Sequence, residues 1–165
     1  MHNYFHLFNR GVNNKKIYFE PDNYSFFLER LKYYKDIYRI AVLCYCLMPN
    51  HFHLFVKQLS DQDTIGYMIG DLINSYTKAI NKKYSRTGVL FGGSTKKRII
   101  ENEEYFTWLF KYILLNPVEA KLVSTPDKWE FSSAREYFGL SNDTLTTQDD
   151  MLAQFDSISI CVNFF

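Results

Sequence analysis

Residues 38–57 read YRIAVLCYCLMPNHFHLFVK, and the architecture follows from this stretch outward. Residues 38–47 are almost continuously β-branched, aromatic or apolar, the composition of a buried strand. Met48-Pro49-Asn50 is a turn, because proline presets φ and asparagine tolerates turn geometry. Residues 51–57 then return as a second strand. Side chains alternate across a strand. Phe52, Leu54 and Val56 therefore share the face that helices would cover, and His51, His53 and Phe55 share the other. The two histidines stand roughly 7 Å apart at their Cα atoms, so both can reach one metal ion. Histidine is the commonest protein metal ligand. For so short a pattern taken alone, an exposed strand face with no ligand is the commoner case.

Upstream, Tyr4-Phe5-His6-Leu7-Phe8 reads as a strand ended by Asn9-Arg10-Gly11. Pro21-Asp22 opens a helix on which Phe26, Phe27, Arg30, Leu31 and Tyr34 fall at helical spacing. Downstream, a second helix is expected from Thr64 to Tyr84, with Ile65, Met68, Ile69, Leu72, Ile73 and Tyr76 as its apolar stripe. Gly92-Gly93 marks a flexible loop and Thr95–Ile100 a short basic strand. Asn102-Glu103-Glu104 caps a third helix carrying Phe106, Leu109, Phe110, Ile113 and Leu114, expected to stop near Asn116-Pro117. The order strand, helix, strand, strand, helix, strand, helix predicts an α+β, ferredoxin-like split βαβ fold: a four-stranded antiparallel sheet, two helices on one face and an additional helix.

The bounds agree with one globular domain. The chain has 165 residues, 47% hydrophobic and 18% aromatic, enough to bury a core and too apolar for disorder. No apolar run is long enough to span a membrane. The opening MHNYFHLFNRG lacks the basic start and apolar stretch of a signal peptide. Cys44, Cys46 and Cys161 form no disulfide framework and no CxxC knuckle, so the expected compartment is the cytoplasm; Cys44 and Cys46 should be small buried groups on one face. Residues 1–140 are expected as the domain and 141–165 as a C-terminal tail in which MLAQFD has the composition of a short helix.

A net charge of +1 hides a segregation. Residues 74–98 carry Lys78, Lys82, Lys83, Arg86, Lys96, Lys97 and Arg98 with no acid, whereas 101–165 carry eleven acids against four bases. Such a basic middle is either a solvated face or a stripe that neutralises nucleic-acid phosphates.

Residues 111–123 read KYILLNPVEAKLV, with Tyr112 and Asn116 four apart and so on one side of the third helix. Spacing alone does not select Tyr112 among the 13 tyrosines. Taken together, Met48-Pro49-Asn50-His51-Phe52-His53, Tyr112-Ile113-Leu114-Leu115-Asn116-Pro117-Val118, and Trp129, Ser132, Ser133 and Tyr137 resemble the REP-associated tyrosine transposases of the single-tyrosine HUH (IS200-like) superfamily. Phe8-Asn9-Arg10-Gly11 and the stretch from Ser75-Tyr76 to Phe91 carry the same likeness, which is collinear from about residue 4 to 139. Glu119 and Lys121 depart from it, standing where relatives commonly have arginine and glycine.

The resemblance implies an enzyme: a metal-dependent DNA transposase that cleaves and rejoins single-stranded, hairpin-bearing DNA through a 5′-phosphotyrosine. It implies Tyr112 as nucleophile and His51, His53 and Asn116 as ligands of Mg²⁺ or Mn²⁺. Arg10, Lys78, Lys82, Lys83, Arg86, Lys96, Lys97 and Arg98 are the expected DNA contacts, in a monomer or homodimer without membrane contact. A non-catalytic hairpin-binding or regulatory protein that keeps the fold is the alternative. A single-stranded RNA module on the same sheet would instead expect exposed aromatics where the histidines stand.

Overall fold

A computed structural model describes residues 3–141 and 145–154. The elements are β1 (Tyr4–Arg10), α1 (Pro21–Ile37), β2 (Ile40–Met48), β3 (His51–Gln58), α2 (Ile65–Lys83), β4 (Lys96–Ile99), α3 (Glu103–Glu119), α4 (Ala134–Tyr137) and α5 (Asp149–Gln154), with 3₁₀ turns at Val12–Asn14 and Pro126–Lys128. The four strands form one sheet in the order β2-β3-β1-β4, every neighbouring pair antiparallel. This is the expected split βαβ arrangement: the two hairpin strands are separated in the sheet from β4 by β1.

The alternation along β3 sorts the two faces as expected. Phe52, Leu54 and Val56 join Leu7, Phe27, Leu31, Met68, Leu72 and Tyr76 in one core beneath α1 and α2. Phe55, Cys44 and Cys46 join Phe106, Leu109, Phe110 and Ile113 in a second core beneath α3. Both cysteines are buried, and a register shift between Val42 and Cys44 puts Leu43 and Cys44 on the same side. The sheet is thus covered on both faces, and α3 lies over β2 and β3.

Two boundaries differ from expectation. β1 does not stop at Asn9; it runs to Arg10 because Asn9 and Arg10 are laddered to Phe52 and His51 of β3. Cross-strand pairing overrides a weak local turn signal, and the side chain of Arg10 thereby shares the parity of His6 and Phe8. Helix α3 does not stop before Pro117, which lies inside it and is buried. The proline forfeits one intrahelical hydrogen bond, at a place where the helix is about to end. The backbone N–H of Leu122 donates to Pro117 O (2.9 Å) and that of Lys121 to Val118 O (2.8 Å), with Lys121 at φ +58°. That is a Schellman motif with lysine in the left-handed position that glycine usually takes.

Residues 129–137 close the free edge of β2. Leu47 N–H donates to Phe131 O (2.9 Å), Trp129 Nε1–H to Leu47 O (3.0 Å), Tyr45 N–H to Ser133 Oγ (3.0 Å) and Tyr137 O–H to Leu43 O (2.6 Å). Trp129, Ser133 and Tyr137 are therefore edge-sealing groups, satisfying strand donors and acceptors that would otherwise invite another chain. Part of the anticipated tail packs on the domain: Thr146 bridges Val42, Asp150 pairs with Lys57 at 2.8 Å, and Met151 is buried. Helix α5 begins two residues before MLAQFD, whose last residues, like Cys161, lie outside the described residues.

Candidate active site

Helix α3 lies along β3 in the opposite direction, and three contacts mark its course. Phe106 meets Phe55 (ring centroids 4.7 Å), Tyr112 meets His53 (5.3 Å, edge to face) and Asn116 Oδ1 meets His51 Nε2 (3.1 Å). The one-in-two parity of the strand and the four-residue spacing of the helix bring all four site residues into one line of contacts. The His51 and His53 rings are themselves 5.1 Å apart.

A third histidine completes the cluster, and the sequence reading did not select it. His6 Nε2 lies 2.9 Å from His53 Nδ1, one nitrogen donating to the other, with the rings stacked at 5.1 Å. Its signal was present: His6 has the parity of Arg10 on β1, and the split βαβ order places β1 beside β3. If His53 donates its Nδ1–H to His6, its Nε2 lone pair is left for a ligand, so His6 selects the tautomer.

The environment keeps these rings neutral. Burial pushes His53 down to about 2, with His6, His51 and the Arg10 guanidinium adding to the effect. Burial, with Arg98 nearby, lowers His6 to about 4. His51 is lowered mainly by burial, Asn116 opposing and Arg10 adding.

The donor set fits a divalent cation. His51 Nδ1 is 2.6 Å from Asn50 Oδ1 while its Nε2 is 3.1 Å from Asn116 Oδ1. A neutral imidazole has a single N–H, so only one of these contacts can be a hydrogen bond. With the N–H on the shorter contact to Asn50, the Nε2 and Asn116 lone pairs face each other, and a cation would satisfy both. Among the described residues no three His, Cys, Asp or Glu side chains group as a metal cluster. A cation here would therefore rest on two imidazoles and the Asn116 amide.

The basic residues divide between the two faces. Lys96 and Arg98 are laddered to Phe8 and His6, so with Arg10 they belong to the histidine face. Arg98 stacks on Tyr105 (4.9 Å), which continues through Trp108 (5.5 Å) to Tyr112 (5.0 Å) in a row of near-parallel rings. Lys97 points the other way, over Phe5 and against Asp63 at 2.5 Å. Lys78, Lys82 and Lys83 ride on α2 across the sheet, Lys83 paired with Glu20, and Arg86 stacks on Phe19 at 5.3 Å.

On the far side of the histidines from α3 lies a cleft of about 390 Å³ between the end of β1 and residues 92–96. Asn9 braces that loop, donating from Nδ2 to Gly93 O (3.0 Å) and Thr95 Oγ1 (3.1 Å). Gly93 sits at φ +129°, which other residues rarely adopt.

Comparison with known proteins gives the chain a family and a shared fold. The family model described as transposase IS200 like matches residues 2–113, a span that includes His6, His51, His53 and Tyr112. A search of curated proteins returns no match. A solved REP-associated tyrosine transposase bound to a REP hairpin shares the fold, with TM-score 0.72, 12% identity, and coverage of 89% of this chain and 92% of that one. A transposase structure from Deinococcus radiodurans is a more distant neighbour, with TM-score 0.49, 13% identity, and 67% and 87% coverage. No helix among the described residues is long and apolar enough to cross a membrane. Because the family match runs over most of the chain and spans both histidines and the tyrosine, this protein belongs to the IS200-like transposases.

Proposed function

We propose that this transposase cleaves and rejoins single-stranded, hairpin-bearing DNA by transesterification through Tyr112. The observation that carries the reading is the convergence of the Tyr112 ring on His53 and of Asn116 Oδ1 on His51 Nε2 within one chain. In the forward step the Tyr112 oxygen loses its proton and bonds to phosphorus. The bond from phosphorus to the 3′ oxygen breaks, and that oxygen leaves as a free 3′-hydroxyl. The strand is held as a 5′-phosphotyrosine, which keeps the ester energy, so a DNA 3′-hydroxyl can reverse the step without ATP.

His51, His53 and Asn116 would hold Mg²⁺ or Mn²⁺, suited to a hard phosphate oxygen, and a cation there would orient and neutralise the scissile phosphate. His6 holds the His53 ring. Trp108 holds the Tyr112 ring, because their planes are stacked 11° from parallel. Arg10, Lys96 and Arg98 meet the backbone phosphates on this face. A flexible strand lets one phosphodiester come in line with a tyrosine more easily than a duplex does, and the hairpin-bound structural neighbour supports a hairpin partner. The Tyr112 ring lies against His53 of its own chain, which favours action in cis.

The test is covalent capture. The unsubstituted protein is incubated with Mn²⁺ and a pool of short single-stranded DNAs, and adducts are sought on denaturing gels. An adduct on the tryptic peptide Tyr112–Lys121 is expected, absent in Tyr112→Phe, which should still bind the captured strand. Full nicking by Tyr112→Phe would refute the assignment.

A further inference from the structure

The cleft beside the histidines has no role in the chemistry described so far. We infer that it is the subsite for the nucleotide on the leaving side of the scissile phosphate, the one that departs with the free 3′-hydroxyl. The inference rests on the transesterase reading and adds a polarity to it.

In an in-line displacement the attacking and leaving oxygens lie on opposite sides of phosphorus. Tyr112 approaches from α3, which covers β2 and β3. The cleft lies beyond the histidine pair on the other flank, over β1 and the 92–96 loop, and its walls include His51 and His53 but not Tyr112. A phosphate seated at the histidines and attacked by Tyr112 must therefore direct its leaving oxygen, and the nucleoside attached to it, toward the cleft. The strand kept on Tyr112 would leave on the side of Trp108 and Tyr105.

Size and chemistry suit this occupant. Ligand pockets run from about 300 to 1,000 Å³, and a cleft of about 390 Å³, at the small end of that range, is on the scale of one nucleoside. Half-buried Phe8 offers a ring for a base to stack on. Exposed Arg10 and Lys96 flank the opening and can take the next phosphate. One wall is the 92–94 loop, which is tied to the end of β1. Gly92 N–H donates to Arg10 O at 2.8 Å, and a Cβ on Gly92 would come within 3.5 Å of that oxygen. With Asn9 bracing Gly93 and Thr95, the loop is shaped before any strand arrives.

The test uses the strand captured by the unsubstituted protein, so failure to capture any strand would overturn the parent reading and this inference with it. That strand is resynthesised with 5-iodouracil in the nucleotide immediately 5′ of the cleavage point, and cross-linked to Tyr112→Phe so that it stays intact. Cross-links on Met1–Arg10 or Thr87–Lys96 are expected. Cross-links on Ile99–Lys111 or Tyr112–Lys121 would reverse the strand and overturn the inference, even with adduct chemistry intact. An abasic site at the same nucleotide should slow adduct formation by the unsubstituted protein about tenfold, the scale of one lost base stack. An unchanged rate would equally overturn it.

Discussion

The histidine cluster makes the metal-free protein acid-labile, by an amount that follows from its burial. His53 and His6 are each 6% exposed and titrate at about 2 and about 4 in the folded chain, against 6.5 when unfolded. Both folded values lie below the unfolded one. Above pH 6.5 neither state binds the extra protons and nothing is lost. As the pH falls below 6.5, the unfolded chain takes them up and the folded chain does not. Stability therefore drops until about pH 4 for His6 and about pH 2 for His53. At about 1.4 kcal/mol per pH unit, going from pH 7.5 to pH 5.0 costs each imidazole about 2 kcal/mol, or about 4 kcal/mol for the pair. A loss of that size is a large share of a domain's stability of about 5–15 kcal/mol. The assay is urea unfolding in EDTA at both pH values, followed by tryptophan fluorescence, for the unsubstituted protein and for His6→Gln/His53→Gln. The substituted protein should lose about 4 kcal/mol less across the interval. Equal losses would refute the reasoning, because they would show that the rings protonate as readily in the fold as in the unfolded chain.

Three further outcomes follow from the packing and the division of charge. Lys96→Ala should lower strand affinity and reduce the salt dependence by about one counterion, whereas Lys82→Ala, across the sheet, should leave both unchanged in filter-binding titrations. Phe27→Ala should cost about 3–5 kcal/mol in urea unfolding, because the ring is fully buried against Phe52 at 5.3 Å and Tyr76 at 5.1 Å. Lys121→Gly should raise stability by about 1 kcal/mol, because it relieves a side chain held at φ +58° at the end of α3; unchanged thermal unfolding would show that the position carries no strain.

Much of the site lay open in local patterns. The hairpin of residues 38–57 announced its own faces, since a strand side chain has only two directions to point. The parity that sent Phe52, Leu54 and Val56 inward left His51, His53 and Phe55 together. Tyr112 and Asn116 share a helix face for the same kind of reason, but it was the resemblance to a family, not the spacing, that singled Tyr112 out of 13 tyrosines. Trp129, Ser133 and Tyr137 were legible as a pattern, but their work along the free edge of β2 was not, because a strand does not say which of its edges will be left bare.

What no local pattern could supply was adjacency. His6 meets His53 across 47 positions, and Asn116 meets His51 across 65. Lys96 and Arg98, rather than the Lys97 between them, share the histidine face only because β4 is laddered to β1 in one register rather than the next. Arg10 joins the site because β3 extends β1 past its turn residues, and Pro117 stays helical because its ring is buried. Alternation and helical periodicity are properties of the chain within a few residues and can be read along it. The order of strands, their register, and the seating of α3 over β2 and β3 arise from burying both faces of the sheet at once, which is a property of the whole fold.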